Sequence, residues 1–196
     1  MDCTPGTGAD PAPGGQPGIR PAVAGDSDAM AEVFIQAWRQ AYPGVVPDEV
    51  LAGLDHDQTA GWLAGLIERR PEGETDVAVR DGQVTGFVRY GRRAAAAGQP
   101  PAGPAPGCAP AAEPCGYVFG LYVHPGHAGH GTGQALLRHA EQRLRERGCA
   151  SVALHVFAAN ERARRLYSRA GYQPDGSSRV EPQYQAAEIG LVKVLT

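Results

Sequence analysis

The sequence has no long hydrophobic run, little excess charge of either sign and few aromatic residues. No stretch approaches the roughly 20 apolar residues that a membrane-spanning helix needs. The first residues have neither the basic start nor the apolar block of a secretory signal. A formal net charge of −3 gives no electrostatic reason to expect nucleic-acid binding. We therefore expect a cytoplasmic protein that binds neither membranes nor nucleic acid.

Cysteine pairs of the CxxC type are also missing. The four cysteines are Cys3, Cys108, Cys115 and Cys149, and two of them stand in low-complexity sequence. This usage favours a reducing compartment in which the thiols are structural or incidental. A disulfide between Cys108 and Cys115 is the alternative.

Glycine and proline, in contrast, are abundant, with 27 and 17 residues in a chain of 196. Residues 1–17 show no apolar periodicity, so the sequence predicts a disordered tail there. Residues 92–114, which are mostly Ala, Pro and Gly, predict a flexible insert between two strands. The remaining length suits a single domain over residues 18–196.

Hydrophobic periodicity predicts an α/β (α+β) domain. Two alternating runs at 76–80 and 83–90, around the turn dipeptide Asp81-Gly82, predict a hairpin, and further strands are predicted at 19–23, 117–123, 151–157 and 188–195. Helical spacing predicts helices at 28–42, 47–70, 132–147 and 160–170. A strand, helix and strand in succession from residue 117 to residue 157 imply a right-handed crossover and one parallel pair within a mixed sheet.

A glycine-rich loop separates the strand at 117–123 from the following helix. Gly129, Gly131 and Gly133 alternate there, so the chain can turn tightly and expose N–H groups at a helix N-terminus, as a pyrophosphate requires. A P-loop needs Lys after its last glycine and the loop has Gln134, while a dinucleotide fingerprint needs an acidic residue where Ser151 stands. An ordinary glycine turn before a helix is the remaining alternative.

A second pattern follows at the next strand and helix, reading Leu154-x-Val156, then Asn160-x-x-Ala163-x-x-x-Tyr167-x-x-x-Gly171-Tyr172. Together the two segments resemble the signatures of the GNAT superfamily of N-acetyltransferases. In that family a Val-x-Pro turn leads into Arg/Gln-x-x-Gly-x-Gly/Ala, and Gly131 and Gly133 match its later positions. Ala128 stands where the family usually has Arg or Gln. The resemblance covers about residues 19–195, apart from the insert.

The resemblance implies a mostly antiparallel sheet, splayed at an acetyl-CoA site, and direct transfer of the acetyl group to a primary amine. It implies a pantetheine arm paired with the backbone of the strand at 117–123, with Asn160 bonded to the same arm. Tyr167 would protonate departing coenzyme A. The implied cofactor-binding residues are Leu121, Tyr122, Val123, Ala128, Gly129, His130, Gly131, Thr132, Gly133, Gln134, Asn160 and Tyr167.

His155 is the candidate general base. Strand alternation puts it on the face opposite Leu154 and Val156. In the N-terminal acetyltransferases that this strand resembles, a Glu stands at the same spacing from the Asn and the Tyr. Imidazole, with a reference pKa of about 6.5, can serve as a base near neutral pH. Proton capture by Tyr117 or by ordered water is the alternative.

Two further functions remain open. His124, His127 and His130 form an HxxHxxH run, but the turn gives them no common face, so we predict no metal site. Because Ala128 departs from the family pattern, a regulatory module that binds coenzyme A with little turnover is the second alternative. The expected partner is a small-molecule or peptide amine, and a homodimer is an open alternative to a monomer.

Overall fold

The computed structural model describes residues 17–68, 73–92 and 115–195. Within these ranges the strands are β1 (Gly18–Pro21), β2 (Glu74–Arg80), β3 (Gln83–Arg92), β4 (Cys115–Val123), β5 (Ser151–Phe157), β6 (Gln173–Glu181) and β7 (Ala186–Val194). The α-helices are α1 (Ser27–Ala41), α2 (Asp48–Ala52), α3 (His56–Glu68), α4 (Thr132–Glu146) and α5 (Glu161–Arg169). The described helices include none that is both long and apolar enough to cross a membrane.

All seven strands form one sheet in the order β1-β2-β3-β4-β5-β7-β6. Every neighbouring pair is antiparallel except β4 and β5, which are parallel. The parallel pair is joined through α4, because parallel neighbours need a crossover connection. The predicted mixed sheet, with its one parallel pair at this position, is therefore confirmed.

The hairpin between β2 and β3 turns on Asp81 and Gly82. Both residues have positive φ angles, 51° and 75° respectively. Two consecutive residues in this region make the type I′ turn, whose twist matches that of the flanking strands. The predicted hairpin is thus confirmed, and both strands run slightly longer than their sequence patterns indicated.

Helices cover both faces of the sheet, and each face has its own hydrophobic core. One core packs α1 and α3 against the sheet, with Met30, Phe34 and Leu63 among its buried residues. The other packs α4 and α5 against the opposite face, with Leu136 and Leu144 among its buried residues. Along β2, neighbouring residues go to opposite cores, as the period of two requires.

The structure differs from the sequence-based prediction in two places. The single helical region predicted over residues 47–70 is two helices, α2 and α3, with a break after Ala52. The segment between the helix predicted at 160–170 and the strand predicted at 188–195, for which no helix or strand was predicted, contains strand β6. Its sequence contains Pro174 and Gly176 and few apolar residues, so its strand state depends on pairing with β7. The predicted tail and insert lie outside the described residues, apart from Pro17 and Arg92, and stay predictions.

Gly86 on β3 allows α4 to approach the sheet closely. A Cβ atom at Gly86 would lie 2.7 Å from the backbone oxygen of Tyr122 and 3.1 Å from Cδ1 of Leu136. We expect Gly86→Ala to lower the free energy of unfolding by about 1–3 kcal/mol, since one side of the clash is backbone. Urea denaturation measures this change.

Gly61→Ala is the matched control, because a Cβ atom at this position in α3 meets nothing within 4 Å. That substitution should raise the free energy of unfolding by up to about 1 kcal/mol through helix propensity. A Gly86→Ala variant as stable as its parent would show that α4 has room to move away from the sheet.

Candidate active site

The site begins where β4 and β5 separate. The two strands form only three residue pairs, of which Tyr117 with Ala153 is the last. Beyond this point β4 pairs with β3 alone and β5 with β7 alone. A register shift opposite Arg89 and Tyr90 leaves Phe119 as an extra residue in β4, and such a bulge bends its strand. The result is a V-shaped gap, in which no described strand pairs with the β5-facing edge of β4.

The glycine loop lies at the open end of this gap. Gly129 and Gly131 have φ angles of 85° and 80°, a region in which residues with a Cβ atom are strained. Gly131 is the N-cap of α4, and no described side chain caps this helix. The first backbone N–H groups of α4 therefore lack intrahelical acceptors and carry the positive end of the helix dipole. Such a helix end is an anion site.

A cavity of about 430 Å³ joins the gap to the glycine loop. All the predicted cofactor-binding residues line it except His130 and Tyr167. His130 is exposed on the loop, and Tyr167 is buried behind the cavity wall. The lining residues from the prediction are Leu121, Tyr122, Val123, Ala128, Gly129, Gly131, Thr132, Gly133, Gln134 and Asn160.

Other lining residues were missed by sequence reasoning. Trp38 and Tyr42 close the cavity from the end of α1, and a row of arginines borders it from α5. The arginines are Arg162, Arg165 and Arg169, and their spacing along the helix was the available signal. The aromatic residues lie in the part of the chain that the resemblance covers, but only the tertiary structure brings α1 to the gap.

Asn160 has a structural role besides its place in the cavity wall. Its side-chain oxygen accepts a hydrogen bond from the backbone N–H of Ala163 at 3.0 Å and so caps α5. Its side-chain nitrogen donates to the hydroxyl of Tyr42 at 3.2 Å. These two bonds fix the orientation of the amide and leave its second N–H hydrogen for a ligand.

Tyr167 is 7% exposed and packs edge-on against Tyr172, with ring centroids 5.6 Å apart. Burial raises the pKa of its phenol above the usual range, and the nearby phenols of Tyr42 and Tyr117 contribute to the rise. The hydroxyl is therefore neutral throughout the physiological range. No hydrogen bond joins it to any of the described residues, so it remains available as a donor.

His155 forms a hydrogen-bonded pair with Tyr117. Nδ1 of His155 lies 2.6 Å from the Tyr117 hydroxyl, just past the last residue pair between β4 and β5. Leu154 and Val156 pack into the core beneath α4 and α5, so His155 faces the other side of the sheet, as predicted. His155 is not among the residues that line the cavity. The pair instead occupies the closed end of the gap.

The described residues include no group of three or more His, Cys, Asp or Glu side chains placed to hold a metal ion. Within the HxxHxxH run, Nδ1 of His124 accepts a hydrogen bond from the backbone N–H of Gly126 at 3.1 Å. This bond caps the short 3₁₀ turn Pro125–His127. His124 thus stabilises the turn that leads into the glycine loop.

A sheet parted between parallel strands, with an uncapped helix N-terminus at the mouth of the gap, defines a protein that binds an extended, phosphate-bearing ligand. Comparison with known families is consistent with this class. The model of the acetyltransferase (GNAT) family matches residues 30–172, so the chain belongs to that family. Its members are acyltransferases that use acetyl-CoA as the acetyl donor.

Relatives of known name are similar over part of their length. A mycothiol acetyltransferase of Frankia alni is 38% identical over 123 residues, which cover 60% of this chain and 35% of that protein. The N-alpha-acetyltransferase 40 of Saccharomyces cerevisiae is 44% identical over 69 residues, which cover 31% of this chain and 24% of that protein. The chain thus spans about a third or less of the length of these relatives.

Solved structures share the fold over nearly the whole chain. The PaiA N-acetyltransferase of Thermoplasma acidophilum, determined in complex with coenzyme A, has a TM-score of 0.67 and 17% identity, over 90% of this chain and 98% of that one. The ribosomal-protein-alanine N-acetyltransferase of Brucella melitensis has a TM-score of 0.63 and 20% identity, over 90% of this chain and 99% of that one. These likenesses confirm the predicted fold.

Gly131 provides a test of the anion site. We expect Gly131→Ala to cost about 1–2 kcal/mol of stability because of its left-handed backbone, and to reduce the rise in melting temperature on adding coenzyme A. Gly148 is the matched control, with a φ of 77° and nothing within 4 Å of an added Cβ. Gly148→Ala, just beyond the other end of α4, should have a similar strain cost and keep the full ligand-induced shift. Equal shifts in both variants would contradict the assignment of the loop.

Proposed function

We propose that the chain transfers the acetyl group of acetyl-CoA to the primary amine of a small molecule or peptide, by direct attack in a ternary complex. One observation carries the proposal: a single cavity joins the uncapped α4 N-terminus to the gap beside β4, and the Tyr117–His155 pair stands at the closed end of that gap. The arrangement can hold an anionic carrier at one end and remove a proton at the other.

The described residues fit acetyl-CoA in shape and chemistry. The glycine loop and the first turn of α4 present backbone N–H groups suited to phosphate oxygens. The unpaired edge of β4 offers backbone groups to a pantetheine arm, which carries amides that can pair like those of a strand. Acetyl-CoA supplies the activated acetyl group, and the chain supplies binding, orientation and proton transfer.

The Tyr117–His155 pair supports two routes for the amine proton. If Nδ1 of His155 carries hydrogen and donates it to Tyr117, then Nε2 accepts the proton directly or through one water. If the Tyr117 hydroxyl donates to Nδ1, then the phenol oxygen takes the amine proton while its own proton passes to Nδ1. In both routes the proton finishes on His155, and the amine becomes a neutral nucleophile.

Tyr167 is suited to the leaving group. Because burial keeps the phenol neutral, it can donate a hydrogen bond to the departing thiolate without first binding a proton. Ala163 and Leu166, which lie one turn before Tyr167 and next to it on α5, line the cavity. Their position in the cavity wall supports the role predicted for Tyr167.

Direct attack is favoured over a covalent carrier because no cysteine or serine is among the described residues that line the cavity. Cys149 is buried beyond the C-terminal end of α4, away from the glycine loop. Initial-rate kinetics separate the two schemes. A ternary complex gives intersecting double-reciprocal lines, whereas a covalent acetyl-enzyme gives parallel ones.

The function is tested by measuring release of the coenzyme A thiol against a panel of amines, with mass spectrometry of the product. The panel should include amines related to mycothiol and peptides with free N-termini, because relatives are named mycothiol acetyltransferase and N-alpha-acetyltransferase 40. Binding of acetyl-CoA without transfer to any amine would favour the alternative, a regulatory module. A cytoplasmic location stays a prediction, and a homodimer stays an open alternative to a monomer.

Replacing Tyr167 by Phe tests the leaving-group role. We expect turnover to fall on the order of 10- to 1000-fold, the usual contribution of general acid help, with the affinity for coenzyme A preserved. Steady-state kinetics and calorimetric titration provide the two measurements. A Tyr167→Phe variant as fast as the parent would make Tyr167 a packing residue.

Replacing His155 by Ala tests the base. The parent should lose kcat/KM toward acid pH, because protonation of the imidazole removes the base. His155→Ala should lower the rate by about 100-fold or more and remove this acid limb, while acetyl-CoA still binds. Parental rate and pH profile in this variant would refute the role of His155.

Tyr117→Phe distinguishes the two proton routes. If the phenol relays the proton, this variant should be impaired as strongly as His155→Ala, and the double variant should be no slower than either single one. If Nε2 of His155 takes the proton directly, Tyr117→Phe should keep the acid limb and most of the rate.

A further inference from the structure

The cavity is positively charged in a protein whose overall charge is negative. The formal net charge of the chain is −3. Among the described residues that line the cavity, three are arginines and none is Asp or Glu. All three arginines, Arg162, Arg165 and Arg169, belong to α5. A cleft wall that carries only positive charge concentrates anions in the cleft. The charge distribution is therefore suited to an anionic ligand.

The three arginines form one row along the helix. Their spacing of three and four residues places them on the same face, on the cavity side. Arg164 lies on another side of α5, does not line this cavity and donates to the backbone oxygen of Ala158 at 3.0 Å. Only three of the arginines of α5 therefore face the cavity, and the positive charge on the cavity side comes from these particular positions.

The partners of these arginines leave most of the charge available. Arg165 forms an ion pair with Glu161 at 3.0 Å, but both side chains are largely exposed, and such pairs are weak. Neither Arg162 nor Arg169 has a hydrogen bond or ion pair with any of the described residues. Two guanidinium groups with five donors each therefore face the cavity with no bond to another described residue.

The opposite wall of the cavity has no cationic side chain. Ala128 occupies the position at which the resemblance leads one to expect Arg or Gln, and the loop from His124 to Gln134 contains no Lys or Arg. Backbone N–H groups of α4 can hold one phosphate segment there. A ligand with a further phosphate monoester would need its countercharge from elsewhere, and α5 is the element that provides it.

We propose that Arg162 and Arg169, with Arg165 beside them, bind the 3′-phosphate of coenzyme A, while the backbone at the start of α4 binds the pyrophosphate. The inference rests on the proposed function, since it names a subsite for the same ligand. The phosphate monoester is the most highly charged group of coenzyme A, and guanidinium forks match its oxygens in pairs. Recognition of the carrier is thereby shared between the glycine loop and α5.

The experiment measures binding of coenzyme A and of 3′-dephospho-coenzyme A by calorimetric titration. The parent should bind coenzyme A at least about 10-fold more tightly than the dephospho form, and this difference should shrink with added salt. The double variant Arg162→Ala/Arg169→Ala should lose on the order of 10-fold in affinity for coenzyme A and almost nothing for the dephospho form. Both side chains are exposed and Ala favours helix, so the variant should fold.

Arg164→Ala is the matched control, which removes the same charge from the same helix and should leave both affinities unchanged. An equal loss for both ligands in the double variant would overturn the 3′-phosphate assignment, and no loss for either would overturn the arginine subsite itself. Failure of the parent to bind coenzyme A at all would instead refute the proposed function. Tight binding of both ligands by the parent, without discrimination, would refute only the subsite.

Discussion

The separation of β4 from β5 after Tyr117 and Ala153 is the constraint on which the rest of the site depends. A parallel pair that continued to Val123 would satisfy the edge of β4 with β5 and leave no room for a ligand. Two features of the neighbouring strand pairs accompany the separation. β5 is paired with β7 along its whole length, and the extra residue at Phe119 bends β4 within its ladder with β3. Both strands thus stay paired on their outer sides where they separate from each other.

The gap also divides the chemistry between its two ends. At the mouth, the bare N-terminus of α4 and the arginine row of α5 supply positive charge toward one cavity. The groups proposed for proton transfer are the half-buried Tyr117–His155 pair at the closed end and the buried, neutral hydroxyl of Tyr167. In the proposed function, this division would hold one extended ligand by its charged end while its reactive end meets these groups.

Part of the site could be predicted from local sequence. The alternating glycines indicated a backbone that only glycine adopts easily, and Gly129 and Gly131 do have positive φ angles. The strand alternation around His155 predicted the face of the sheet on which its side chain lies. The hydroxyl of Tyr117 as the partner of His155 was not predictable in this way, because the two residues are 38 positions apart and meet only through the parallel pairing of their strands.

The sequence by itself determined the elements whose conformation is set by near neighbours: the β2–β3 hairpin through its turn, the amphipathic helices through their period, and the glycine loop through its backbone freedom. Only the tertiary structure decided the state of β6, whose polar residues have little intrinsic preference for a strand and are ordered by pairing with β7. It likewise decided which arginines of α5 face the cavity and that Trp38 and Tyr42 close it. These features depend on contacts between segments that are far apart in the sequence and that the sheet brings together. A pattern within one short segment therefore does not predict them.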